Sequence, residues 1–254
     1  MSTQTRMVRS SGGARLTAAL TLLLALMLSV SLPAAQALSF DPAEGVSFNS
    51  TFDTDSAGWA KVSGNWYLTA SGYYKSDGLA GKWASIKHSG SYTDFVYAVR
   101  MKRSGAESGA TALWLRGSVT PLNDMKYWDD GYWLGYTNLG SVSVYKRVSG
   151  ISTALMSWVA NPAVNSGDWN TLKVLLYDNF LGFYLNGELV YLDDHTLPIQ
   201  TGQVGIGFYD GGPGDKLSVN SAKLSVIAPL PSFSLQSLGL PNYSVPEGEP
   251  IQLR

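Results

Sequence analysis

The segment Tyr127-Trp128-Asp129-Asp130-Gly131-Tyr132-Trp133-Leu134-Gly135-Tyr136 sets aromatic rings beside carboxylates. That pairing of residue types suits sugar recognition. A pyranose lays its weakly positive CH face on the negative face of a ring, while polar groups take its hydroxyls. In a strand Tyr132 and Tyr136 share one face and Trp133 takes the other. Trp128 and Asp129 precede the strand, so Trp128 is expected exposed in a loop and Trp133 in the core. Trp114, Tyr132 and Tyr136 fit either a core or a wet face. Arg116 decides between them, because an arginine aimed into a dry core is costly. Its face is expected to be wet, and Trp114, two residues away, is expected to share it.

Bond cleavage makes other demands. A retaining glycosidase needs two carboxyls about 5 Å apart. The five glutamates, Glu44, Glu107, Glu188, Glu247 and Glu249, give no such pair within a strand pattern. Asp129-Asp130 and Asp193-Asp194 are adjacent, and neighbours on a strand point to opposite faces. They read as solvated turn acids. His88 and His195 are the only histidines, too few for a histidine-rich zinc site. No Gly-x-Ser-x-Gly elbow appears. With no cysteine, thiol catalysis and disulfides are excluded. Asp210 with Asp215 has loop spacing that calcium could use, but reads more simply as a polar turn.

These residues must be positioned by strands. Leu172, Val174 and Leu176 alternate with Lys173, Leu175 and Tyr177. Asp178-Asn179 and Asn186-Gly187 then predict two tight turns, and Asn-Gly is a strong hairpin signal. Phe95, Tyr97, Val99 and Met101 alternate with Val96, Ala98, Arg100 and Lys102, which predicts one buried and one wetter face. Tyr132–Tyr136 and 142–148 are expected to pair. Tyr73, Tyr74 and Asp77-Gly78 read as a turn region, and Trp59 and Trp66 as core.

The ends differ in composition. Arg6, Arg9 and Arg15, the apolar run 16–32 and Ala35-Gln36-Ala37 make residues 1–37 an expected secretory signal, an uncleaved anchor being the alternative. Without the three leader arginines, 15 basic groups face 19 acidic ones, a net charge of −4. That argues against nucleic acid or an anionic membrane as partner. Residues 38–228 are expected to form one domain. Five of the 11 prolines fall in 229–254, which reads as a tail or linker.

The order of several motifs resembles the concanavalin A-like lectin/glucanase superfamily, including laminin G-like domains, 3-keto-disaccharide hydrolase-like proteins and carbohydrate-binding modules. The motifs are Phe52-Asp53, Gly58-Trp59, Gly64-Asn65-Trp66, Asp94-Phe95, Leu113-Trp114-Leu115-Arg116, Gly131-Tyr132, the strand from Trp169 through Leu185-Asn186-Gly187, and 202–207. They span about residues 46–227. The resemblance implies an all-β, two-sheet antiparallel β-sandwich, a jelly roll. It places Trp114, Arg116, Tyr132 and Tyr136 on a concave sheet, with Arg100 beside them. It also implies structural Ca²⁺ as the one ion to test, near Asp53, Asp55 and Asn220, with no other cofactor required. The acid that the family carries in its last strand is missing here, and so is the Glu-x-Asp-x-x-Glu strand of the laminarinase-type enzymes. The expected function is secreted, non-catalytic binding of an oligo- or polysaccharide. The alternatives are adhesion to cell-surface proteins and a 3-keto-disaccharide hydrolase or lyase activity.

Overall fold

The computed structural model describes residues 44–194 and 197–228; the expected leader, His195 and the proline-rich tail lie outside them. The described residues form β1 (Glu44–Ser50), β2 (Trp59–Ser63), β3 (Asn65–Leu68), β4 (Tyr74–Gly78) and β5 (Trp83–His88). Then come β6 (Phe95–Ser104), β7 (Thr111–Ser118), β8 (Asp130–Tyr136), β9 (Ser141–Val148) and β10 (Ile151–Ala160). β11 (Asn170–Tyr177), β12 (Phe180–Leu185), β13 (Glu188–Asp193), β14 (Gln203–Tyr209) and β15 (Lys216–Ile227) complete the order. All pairings are antiparallel. The first sheet runs β13-β12-β11-β6-β15-β4-β3, with β1 added along β15, and the second runs β10-β9-β8-β7-β14-β5-β2.

Period-2 patterning builds the first sheet. Along β6, Phe95, Tyr97, Val99, Met101 and Arg103 are buried, while the residues between them are at least partly exposed. Leu172, Val174 and Leu176 of β11 lie opposite Val99, Tyr97 and Phe95 in register. Their shared face packs on Leu113, Leu115, Leu134, Val144, Ile206 and Phe208 of the second sheet. Burying one such side chain contributes about 1.5–3 kcal/mol. Asn186 and Gly187 both take positive φ, 51° and 91°, as a type I′ turn requires.

The region 73–78 corrects one expectation. Residues 74–78 are a strand, pairing through Tyr74, Lys75 and Ser76 with both β3 and β15. Tyr74 stacks on Phe52 with ring centroids 5.4 Å apart, and Trp59 and Trp66 lie in the same core. Inward packing of Tyr74 and Ser76 outweighs the turn signal of Asp77-Gly78.

The buried alternation on β6 ends in a charge. Arg103 donates to Asp215 at 2.7 Å, both side chains being fully buried, and to the carbonyls of Ala106, Ala110 and Tyr209. Asp215 also accepts from the amides of Ala106 and Gly211. Asp215 is thus occupied by an arginine rather than open to calcium. A buried pair tolerates loss of neither partner, because the survivor is left uncompensated. Asp215→Ala is expected to cost about 3–5 kcal/mol, read as a fall in Tm of roughly 6–20 °C. Asp168→Ala, which breaks the exposed Lys102–Asp168 pair, should shift Tm by no more than about 4 °C. Equal effects in the two melts would refute the structural role given to Asp215.

Candidate functional site

The outer face of the second sheet carries the aromatic residues. In cross-strand register, Gly205 of β14 lies opposite Trp114 of β7, Trp114 opposite Trp133 of β8, and Trp133 opposite Tyr145 of β9. Residues two positions along share that face. They are Gly207, Ala112, Gly135 and Ser143, also paired in a row, with Ser85 of β5 at its end. A row of large rings thus runs beside a row of small residues. The rings lean into that space: a β-carbon at Gly135 would sit 3.0 Å from the Trp133 ring, and one at Gly207 would sit 3.3 Å from Trp114 Nε1.

The segment between β7 and β8 folds back over this face. Trp83 N–H donates to the Met125 carbonyl at 3.0 Å, and Asp129 N–H to that of Ser118 at 2.9 Å. Between these anchors Trp128 lies parallel to Trp114, ring centroids 5.3 Å apart at 10°, and its Nε1 donates to Ser85 Oγ at 3.1 Å. A β-carbon at Gly117 or Gly205 would come within 2.4 Å of the Trp128 ring. The two glycines are the slot in which Trp128 sits.

Beyond this stack a hollow of about 430 Å³ opens, walled by Trp83, Tyr127, Trp133, Tyr145, Trp158 and Tyr209, with Ser108, Ala110, Met125 and Ser152. Tyr145 lies flat against Trp133 at 4.6 Å and 7°, and Trp158 borders Trp133 at 6.0 Å. Trp158 is 39% exposed and Tyr127, Tyr145 and Tyr209 are half-buried, so ring faces meet solvent here. No lining residue is a carboxylate.

The residues expected at a site are dispersed. Trp114 and Trp128 belong to this face, but both are fully buried. The expected exposure of Trp128 fails because its loop folds back onto Trp114. Trp133, expected in the core, is 5% exposed and walls the hollow. Tyr132 and Tyr136 point to the other side, into the core between the sheets. There burial pushes the Tyr136 phenol up to about 12, and Tyr132 Oη accepts the Ile199 amide at 3.2 Å.

Arg116 corrects the period-2 reading. Its φ is +47°, and the register of β7 with β8 shifts between Leu115 and Ser118. A bulge of this kind re-aims a side chain. Arg116 is 1% exposed. It donates to the carbonyls of Thr93, Asp178 and Ile199 and to Asp94. Desolvation lowers its pKa and Asp94 opposes that shift. Arg116 therefore ties loops together and presents nothing to a ligand on the aromatic face. Arg100 lies on the first sheet, over Trp169 at 4.8 Å and bonded to Asn220 Oδ1 at 3.3 Å. Asp129 is half-buried and is not among the residues walling the hollow.

Of the residues named for calcium, Asn220 lies on β15 of the first sheet, and Asp53 and Asp55 follow β1. Asn220 Oδ1 already accepts from a guanidinium, and Asp55 accepts the Ala57 amide in an exposed turn. Among the described residues no three His, Cys, Asp or Glu groups converge, whereas calcium takes six or more oxygens, commonly from carboxylates.

Tyr145, Trp158, Tyr209 and Trp83 escaped the sequence reading. A weak signal was present for three of them, a small residue two positions from the ring: Ser143 for Tyr145, Gly207 for Tyr209 and Ser85 for Trp83; which rings meet is set by strand register and not by that spacing.

The chain matches no family model and no curated protein. Its fold matches solved structures. Carbohydrate-binding module CBM66 from Bacillus subtilis is 21% identical with a TM-score of 0.50, over 65% of this chain and 94% of that one. Bacillus licheniformis β-glucanase is 16% identical with a TM-score of 0.55, over 71% and 98%. The exoplasmic/lumenal domain of VIP36, in a Ca²⁺/Man3GlcNAc-bound form, is 18% identical with a TM-score of 0.53, over 72% and 88%. The fold is the concanavalin A-like two-sheet sandwich.

Gly117→Ala tests the Trp128 slot. The added methyl must displace the ring, and overpacking of this kind costs about 1–3 kcal/mol. Lower stability with an altered near-ultraviolet dichroism from the Trp114–Trp128 stack is expected. Full stability with an unchanged spectrum would show that the ring does not occupy the slot.

Proposed function

We propose that the outer face of the second sheet binds carbohydrate without cleaving it, in a protein exported by the leader at 1–37. The observation that carries this reading is the hollow walled by six aromatic side chains and lacking any carboxylate among its lining residues. Half-exposed rings offer stacking faces, and serine hydroxyls offer hydrogen bonds. Glycoside hydrolysis ordinarily uses two carboxyls, about 5 Å apart for retention and roughly 6.5–9.5 Å apart for inversion, and the walls supply neither. The shared fold supports the reading, since its members include a carbohydrate-binding module and a domain bound to Man3GlcNAc; fold alone does not assign function.

A second reading, a protein-binding or scaffold domain, draws on β10. This strand ends the second sheet and exposes Ile151 at 72% and Val159 at 48%. An exposed apolar edge can pair with another chain.

Affinity electrophoresis of the full chain through a panel of soluble polysaccharides separates the two. One glycan is expected to retard the wild type. Trp158→Ala should weaken that retardation about ten-fold, equivalent to ~1.4 kcal/mol, with Tm kept. Trp169→Ala, on the opposite sheet beside Arg100, should leave it unchanged. Retardation by no glycan would shift the weight to the scaffold reading.

A further inference from the structure

Three arginines are buried in the described residues, and two are fully committed. Arg103 pairs with Asp215 and three carbonyls. Arg116 pairs with Asp94 and three carbonyls. The third, Arg147, is 7% exposed and is treated differently. Its Nη1 donates to Ser152 Oγ at 2.7 Å, and its guanidinium lies over the Tyr127 ring at 5.1 Å. Its Nε is buried without a hydrogen-bond partner. No carboxylate among the described residues reaches ion-pair distance of it. Asp129 lies close by. A β-carbon at Gly150 would sit 3.4 Å from Asp129 Oδ1 and 3.6 Å from Arg147 Nη2, yet the two groups form no ion pair. Asp130 is engaged elsewhere, accepting the Ser149 amide at 2.6 Å.

A buried cation without an anion is costly, and a buried donor without a partner calls for an explanation. The position of Arg147 supplies one. It follows Tyr145 by two residues on β9, so it shares the aromatic face, about 7 Å further along the strand. Arg147 does not itself wall the hollow, but both of its contacts, Ser152 and Tyr127, do. We propose that the glycan taken by this hollow is acidic, and that Arg147 receives the carboxylate or sulfate of a sugar unit whose ring stacks on the neighbouring aromatics. The proposal rests on the carbohydrate-binding reading above. A planar guanidinium with two unbonded nitrogens matches an oxyanion, and such charge-assisted bonds are roughly twice as strong as neutral ones. Nη2 makes the first contact. The acidic net charge of the chain does not oppose this, because at 0.15 M salt the field of distant charges fades within about 8 Å.

The test compares four polymers, two anionic and two neutral, in titrations of the full chain. They are polygalacturonate, the same polymer with its carboxyls reduced to alcohols, and dextran sulfate beside neutral dextran. Wild type is expected to bind at least one anionic polymer about ten-fold tighter than its neutral counterpart. Which of the two it prefers tells carboxylate from sulfate. The preference should shrink as salt rises, and free galacturonate or inorganic sulfate should compete. Arg147→Met keeps the aliphatic stem and should erase the preference, while Arg147→Lys keeps part of it. Trp158→Ala should weaken binding of charged and neutral forms alike. Equal affinity of wild type for charged and neutral polymers overturns the acidic-ligand proposal while leaving carbohydrate binding standing. A preference that survives Arg147→Met also overturns it. Binding to none of the polymers, charged or neutral, overturns the acidic-ligand proposal, and the polysaccharide panel then decides carbohydrate binding. The wild-type salt and competition arms need no variant, so a folding defect in Arg147→Met cannot shelter the proposal.

Discussion

Everything on the second sheet's outer face depends on indole rings packing over small residues of the sheet. A tryptophan can lie along its strand only if the residues beneath and beside it are small. Here Gly207, Ala112, Gly135 and Ser143 form that row, and Gly117 and Gly205 make the slot for Trp128. The result is a rigid aromatic bed. It fixes the orientation of the rings above it before any ligand arrives, which lowers the entropy lost on binding. The same packing buries β7 on both faces, unlike β6 or β11, where burial alternates.

Stability and recognition are thereby separated in space. Arg103 with Asp215 and Arg116 with Asp94 join loops through buried, fully satisfied guanidinium groups. They hold the sandwich together and offer nothing to solvent. Arg147 has the same chemistry but no carboxylate at ion-pair distance, and its two contacts, Ser152 and Tyr127, line the hollow. Three identical side chains thus stand in two kinds of surroundings, two beside a carboxylate and one without.

The sandwich was legible because its core obeys period 2. The alternations in β6 and β11 and the Asn186-Gly187 turn stand where local pattern predicts them. The site was less legible, for two physical reasons. A bulge at Arg116 breaks the two-residue rule, so Trp114 and Arg116 part company although their spacing says otherwise. Long-range folding of the 119–129 segment buries Trp128 against Trp114, which no local signal announces. Tyr145 and Trp158 come to the hollow only through pairing of β8, β9 and β10, a register that the sequence does not spell out. Arg100 alternates as expected along β6, yet β6 belongs to the other sheet.

The most direct test of the aromatic face as the binding face uses the eight tryptophans of the chain as reporters. Indole N–H resonances of the ¹⁵N-labelled protein would be followed during titration with the polysaccharide that retards it in electrophoresis. The account predicts shifts at Trp133 and Trp158, smaller ones at Trp83, and none at Trp59, Trp66 or Trp169. Shifts centred on Trp169, with the second-sheet indoles unmoved, would contradict it and move the site to the opposite sheet.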